Sequence, residues 1–172
     1  MPDGSAPDLA ARIQALEDME TIRRLKYRYF RAIDTADITL LATLITEDFS
    51  ANYKGGTYHW VVEGKANFLA AIKAGFHNRA LAQHTGHHPE IDLTSGNTAT
   101  GLWYLTDSFI HLDSLAVTTG SSLYRDEYVR QEGSWQIRKS SYTRIYEIVD
   151  TLQQRPNVTF SLLAETGAAP VG

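Results

Sequence analysis

From Asp8 to Asp34 the apolar residues return every three or four positions: Leu9, Ile13, Leu16, Met19 or its neighbour Glu20, Ile22, Leu25, Tyr29 and Ile33. That spacing puts them on one side of a helix, and Asp8 is of the type that caps a helix start. One long amphipathic helix ending near Asp34 is therefore expected. Asp37 is placed to cap a second, short helix through "ITLLATLI". After "TEDF" the character changes, and "FSANYKGGTYHWVVEG" reads as a hairpin or a pair of short strands with Gly55 and Gly56 at the turn. "KANFLAAIKAGF" returns to the helical period, with Phe68, Leu69, Ile72 and Phe76 on one face.

From Leu81 the chain reads mostly as strand. "LAQHTGHHPEIDL" leads through the turn "TSGN" into "TATGLWYLTDSFIHL", and "TTGSSLYRDEYVRQ" leads through "EGS" into "WQIRKSSYTRIYEIV". Helices followed by a long antiparallel meander form an α+β pattern. Such a sheet, curved over the N-terminal helices, would enclose a cavity. There is no internal repeat, and residues 8–150 read as a single domain, followed by a C-terminal extension over 151–172. The first seven residues, "MPDGSAP", and the end, "AETGAAPVG", are expected to be flexible tails.

Composition narrows the function by exclusion. Hydrophobic residues make up 43% of the 172 and charged residues 21%, as in an ordinary globular protein. A formal net charge of −4 argues against nucleic acid as a partner, because neutralising phosphates takes a basic excess. No run approaches the roughly 18 apolar residues that span a bilayer, so no membrane association is expected. "MPDGSAPDLAARI" lacks the features of a signal peptide. With no cysteine, the chain has neither a thiolate nucleophile nor Cys-ligated zinc, and a cytoplasmic location is the default expectation.

Three histidines fall within five positions at His84, His87 and His88. On a regular strand His84 and His88 share a face while His87 takes the other, and the first two stand about 13 Å apart. That is too far for a shared zinc, whose ligands each lie about 2 Å from the metal, although Pro89 is able to introduce a bulge. No metal site is expected. His87 and His88 read as solvent- or interface-facing, and His59, His77 and His111 as structural. His84 differs if a carboxylate orients it, because such a pair is a proton acceptor. Asp34 closes the first helix, where its charge opposes the macrodipole; it is either retained for that pairing or simply starts the next turn. Asp107 shares its strand face with Trp103, Leu105 and Phe109, so it is either a pocket acid or a structural aspartate paired with an arginine.

"YRYFRAID", "HTGHHPEI", "GLWYLTD" and "WQIRKSSYTR", in that order, resemble the SnoaL-like branch of the nuclear transport factor 2-like superfamily. Scytalone dehydratase, hexachlorocyclohexane dehydrochlorinase and bile-acid 7α-dehydratase belong to that branch. The resemblance covers about residues 9–150 and is nearest the bile-acid dehydratase group. It implies an α+β cone, a barrel-like curved sheet and helices around a deep apolar pocket. It also implies a catalytic dyad at Asp34 and His84, with Tyr29, Asp107 and Arg144 as further catalytic positions. Tyr29 and Asp34 lie about 140° apart around the helix, so they converge only if the helix end frays or both side chains reach round its rim.

The chemistry expected from these residues is elimination without a cofactor. His84, oriented by Asp34, removes a proton, and Tyr29, or Asp107 if protonated, donates to the departing oxygen or to an enolate. "KGGTYHW" has the spacing of neither nucleotide fingerprint. The expected substrate is an apolar, ring-bearing small molecule: a steroid, a polyketide or a lignin-derived aromatic. Phe30, Phe49, Tyr53, Trp60, Phe68, Trp103, Phe109, Tyr124 and Tyr142 are the candidate pocket lining, although core and pocket share residue types and some belong to the core. An isomerase or cyclase, a hydrophobic-ligand-binding protein and an assembly domain with a filled cone are the rival readings. A homo-oligomer is expected, because the convex sheet face around Leu102 and Tyr104 is not all polar. Leu123 with Val129, and Ile137 with Ile145, are expected on one face there. The trimer is the oligomer that the resemblance implies.

Overall fold

The first helix begins where the periodicity puts it. Asp8 accepts a hydrogen bond from the Ala11 amide at 2.8 Å, and α1 spans Leu9–Asp34 in a computed structural model that describes residues 8–167 and residue 169. Only the second half of its apolar stripe is covered. Ile22, Leu25, Tyr29, Phe30 and Ile33 are buried, whereas Leu9 and Leu16 are 68% and 63% exposed. At about 39 Å, α1 outruns the core: Asp18, which holds Arg130 and Trp135, is its first buried residue.

Asp37 caps α2 (Ile38–Leu44) through the Leu40 amide at 2.9 Å. Ile45, expected to end this helix, instead opens β1 (Ile45–Lys54), which forms the expected hairpin with β2 (His59–Glu63). After α3 (Lys65–Gly75) come β3 (Ala80–Leu93), β4 (Thr98–His111), β5 (Ala116–Gln131) and β6 (Ser134–Thr151). A short α4 (Leu162–Thr166) follows, capped by Ser161, with Leu163 buried. Part of the expected flexible end is thus helical, while the expected tail over 1–7 lies outside the described residues.

The six strands form one curved sheet in the order β2-β1-β6-β5-β4-β3. The expected antiparallel meander accounts for β3 to β6, but β1 lies parallel to β6, with Tyr53 beside Tyr142. The sheet is therefore mixed. It also stays open, with β2 and β3 as its edges, so it is a partial cone rather than a closed barrel. Parallel neighbours need a long crossover, and here α3 and four strands, β2 to β5, supply it. Local periodicity carries no information about that return.

One face of the sheet receives the helices. Along β4 the inward residues Ala99, Trp103, Leu105 and Asp107 are buried, while Tyr104 and Thr106 are exposed. Trp103 donates to the Tyr128 hydroxyl at 2.9 Å, and Phe49 packs on Phe68 with ring centres 4.6 Å apart. Burying a side chain such as Phe68 stabilises the fold by about 1.5–3 kcal/mol. Simple alternation fails on β6. The register slips between Ile137 and Lys139, leaving Arg138 as an extra residue that reverses the inward and outward positions. Ile137 is consequently buried and Ile145 is 51% exposed; the expectation that they share a face is corrected.

Candidate active site

Asp34, the last residue of α1, reaches His84 on β3 with both carboxylate oxygens. Oδ2 accepts the His84 backbone N–H at 2.9 Å, and Oδ1 lies 2.5 Å from His84 Nδ1. A carboxylate only accepts, so Nδ1 carries the hydrogen and Nε2 presents its lone pair. Among the described residues Nε2 has no hydrogen-bond partner. The side chains remain 16% and 20% exposed. The turn after α1 is closed by backbone bonds from Thr35, Ala36 and Asp37, so the Asp34 side chain is not spent on starting it. Phe30 lies parallel to the imidazole at 6.1 Å, and Phe76 packs at 5.9 Å. Gly86 makes that possible, because a Cβ there would run into the Phe30 ring.

Strand register extends the site across the sheet. His84 pairs with Asp107, Asp107 with Gly120, and Gly120 with Glu147. Cross-strand partners stand about 5 Å apart. Asp107 has found an arginine: both ends of its carboxylate are held by the Arg144 guanidinium, one of them at 2.8 Å. A Cβ at Gly120 would lie 3.0 Å from Arg144 Nη1, so glycine leaves the guanidinium room to cross. Burial disfavours the Arg144 cation, but the hydrogen bonds and charge of Asp107 outweigh it and push its pKa above the ordinary value. Arg144 Nε donates to the Tyr58 hydroxyl at 3.2 Å and lies 3.5 Å from Glu147 Oε2. Glu147 also accepts from the Thr57 amide at 3.0 Å and the Thr57 hydroxyl at 2.9 Å, which pins the turn carrying Tyr58.

Tyr29 does not join the dyad through any hydrogen bond. It is fully buried, and its hydroxyl is 2.8 Å from that of Tyr53, so neither fraying nor a reach round the helix rim brings it to Asp34 by a hydrogen bond. Burial, then the neighbouring Tyr53, pushes the Tyr29 phenol well above its usual pKa. Phe49, Phe68 and Trp103 are fully buried, and Phe30, Tyr53 and Tyr124 nearly so. Trp60, Phe109 and Tyr142 are half-buried. Phe109 packs on Phe76, and so reaches the His84 side of the sheet. Tyr53 and Tyr142 stack at 4.3 Å.

Sequence reasoning missed Lys26, Asp126, Tyr58 and Glu147. Lys26 is fully buried, with Nζ 2.7 Å from Asp126 Oδ2 and over the faces of Tyr124, Tyr29 and Phe30 at 4.1–4.7 Å. Although this is an ion pair, its approach falls short of hydrogen-bond direction, and Nζ has no other partner among the described residues. The one sequence signal was a lysine within the apolar stripe; for Glu147 and Tyr58, nearly 90 residues apart, there was none.

The other histidines lie elsewhere. His88 has φ 50° and the register slips after His87, so the expected alternation breaks and the two rings meet, Nδ1 to Nδ1 at 2.9 Å. His59 bonds Asn52, and His77 packs on His111. Among the described residues no three His, Cys, Asp or Glu side chains gather as a metal site. A groove of about 690 Å3 on the opposite sheet face is lined by Asn52, Glu63, Glu90, Arg125, Glu127 and Lys139. It contains neither member of the Asp34–His84 pair, which lies on the helix-covered side.

A curved, open, mixed sheet packed against N-terminal helices is the α+β fold of the nuclear transport factor 2-like proteins. Within that class, residues 14–141 match the SnoaL-like domain, and the chain belongs to that family. Similar solved structures include a candidate scytalone dehydratase from Novosphingobium aromaticivorans, with 17% identity and a TM-score of 0.70 over 86% of this chain and 97% of that one. A hexachlorocyclohexane dehydrochlorinase of the third type, from Novosphingobium barchaimii, has 16% identity and a TM-score of 0.70 over 87% and 98%. At these identities the likeness shows the fold. No described helix is long and apolar enough to cross a membrane.

Proposed function

We propose that the protein is a cofactor-independent lyase acting on a hydrophobic, ring-bearing small molecule: a steroid, a polyketide or a lignin-derived aromatic. One observation carries this reading: Asp34 holds His84 by two hydrogen bonds and leaves Nε2 without a partner among the described residues, on a side chain that is still 16% exposed. Nε2 takes a proton from carbon, and the electron pair forms the new double bond as the bond to a leaving oxygen or halide breaks. Loss of formaldehyde starts instead from a hydroxymethyl O–H, whose electrons become the C=O while the C–C pair forms the double bond and expels the leaving oxygen. The negative Asp34 stabilises the imidazolium formed. Asp107, one strand from His84, holds Arg144 reaching in from β6, and in this reading that pair faces the charge that develops on the substrate. A scytalone dehydratase and a dehydrochlorinase with this fold both run eliminations by name, which supports the same reaction class here. A screen of hydroxylated, halogenated and lignin-type aromatics with wild type beside His84→Ala tests it. Turnover that survives the substitution refutes the base, and tight binding without turnover by wild type indicates a ligand-binding protein.

The assembly in this reading is a homo-oligomer, with a trimer following from the family resemblance. Its support is the outer sheet face, where Tyr104, Ile145, Tyr146 and Ile148 are exposed. Light scattering at micromolar concentration decides the point, since a mass near 19.2 kDa means a monomer. A cytoplasmic location completes the proposal, and cell fractionation checks it.

A further inference from the structure

We propose that Tyr58 is the proton donor of this site. The inference rests on the lyase reading above and supplies the acid which that reading leaves open. Tyr29, the tyrosine singled out from the sequence, has its hydroxyl against Tyr53 and no exposed surface. Asp107 is held as an acceptor by the Arg144 fork. Tyr58 is placed otherwise. Its oxygen receives Arg144 Nε–H at 3.2 Å and lies in hydrogen-bond contact with the Tyr142 hydroxyl. Either hydroxyl of the Tyr58–Tyr142 pair is able to donate; in the proposed arrangement Tyr142 gives its hydrogen to Tyr58, whose oxygen already accepts from Arg144. A phenol oxygen accepts from two donors and still has its own hydrogen to give.

The side chain is also unusually well held for one in a turn. Gly55 N–H bonds Tyr58 O at 2.9 Å, Thr57 is tied twice to Glu147, and Arg144 fixes the hydroxyl. Gly55 and Gly56 leave room for Glu147, because a Cβ at either position would press on its carboxylate. His84 pairs with Asp107 across the strands, Arg144 holds Asp107, and Arg144 donates to Tyr58, a chain of contacts that joins the proposed base to the proposed acid. In the reaction His84 Nε2 takes the carbon-bound proton, the C–O bond breaks, and the departing oxygen takes the Tyr58 proton and leaves as water. The tyrosinate is stabilised by Arg144 and Tyr142, and the two protons exchange with solvent to restore His84 and Tyr58.

The test does not need turnover, so it separates this proposal from the lyase reading. 2-Naphthol, whose oxygen accepts a hydrogen bond from a phenol donor, is titrated by fluorescence into wild type, Tyr58→Phe and Tyr29→Phe, with 2-methylnaphthalene, which offers no acceptor, as the control probe. Tyr58→Phe is expected to weaken 2-naphthol about tenfold and to leave 2-methylnaphthalene unchanged, while Tyr29→Phe leaves the naphthol affinity unchanged. Equal weakening of both probes by Tyr58→Phe means a purely structural role and overturns the proposal, as does a naphthol loss confined to Tyr29→Phe. If Tyr58→Phe lacks a cooperative melt, 3-fluorotyrosine at position 58, a stronger donor of nearly the same shape, is used. It should tighten 2-naphthol, and unchanged affinity overturns the proposal.

Discussion

Asp34→Asn separates the orienting role of Asp34 from any structural one, because the amide keeps the shape and changes only what faces His84. In the native site Oδ2 accepts the His84 backbone N–H, and Oδ1 accepts Nδ1–H. An asparagine oxygen takes over the backbone bond, which leaves the amide NH2 facing Nδ1. The imidazole must then accept at Nδ1 and carry its hydrogen on Nε2, the wrong tautomer for a base. The lost bond is charge-assisted and worth about 1.5–3 kcal/mol, so kcat should fall about 10- to 150-fold at about 1.4 kcal/mol per tenfold. Replacing it with a neutral hydrogen bond costs only about 1 kcal/mol of stability, a Tm drop of about 2–4 °C at this chain length. Nitrogen-15 NMR of the His84 ring should show hydrogen on Nδ1 in wild type and on Nε2 in Asp34→Asn, and kcat is measured on the substrate found by the screen. An unchanged tautomer with full activity, or a collapse of Tm with activity per folded molecule intact, refutes the reasoning.

Lys26→Met leaves Asp126 as an unpaired charge in a fully buried setting and should cost about 3–5 kcal/mol by urea denaturation, with Asp126→Asn in the same chain recovering part of the loss; an unchanged midpoint for the single variant counts against the pair. Burial raises the pKa of Tyr29, Tyr53, Tyr124, Tyr128 and Tyr142 above the ordinary 10.0 of a phenol. Their stabilisation is therefore complete below about pH 10 and is lost as pH rises beyond it toward the folded values, so ultraviolet titration should show these tyrosines ionising together with loss of circular dichroism; ionisation of all nine tyrosines in a still-folded protein would contradict this. Gly86→Ala drives a methyl into the Phe30 ring and should cost about 1–3 kcal/mol while shifting the His84 ring resonances; a melt and spectrum like wild type would show that Phe30 has room to move.

Periodicity and capping chemistry by themselves determined α1, α2 and α3, the hairpin at Gly55 and Gly56, and most strand boundaries, because these depend on residues within a turn or two of one another; α4 was not among them. Asp8 and Asp37 cap the helices they were expected to cap, and Asp107 on an apolar strand face left open a pocket acid or an arginine partner, of which the fold supplies the arginine. The family resemblance brought Asp34 and His84 together as a pair, which periodicity alone could not do across the 50 residues between them. Only the tertiary structure decided the rest. The parallel return of β1 beside β6, the slip at Arg138 that turns Ile145 outward and the bulge that joins His87 to His88 all depend on pairing between distant strands. The same holds for Arg144, which passes over Gly120 to reach Asp107, and for Glu147, which holds the turn carrying Tyr58 from 90 residues away. A side chain's neighbours along the chain specify its local conformation, whereas its partner across the sheet is specified by register, which the folded sheet sets as a whole.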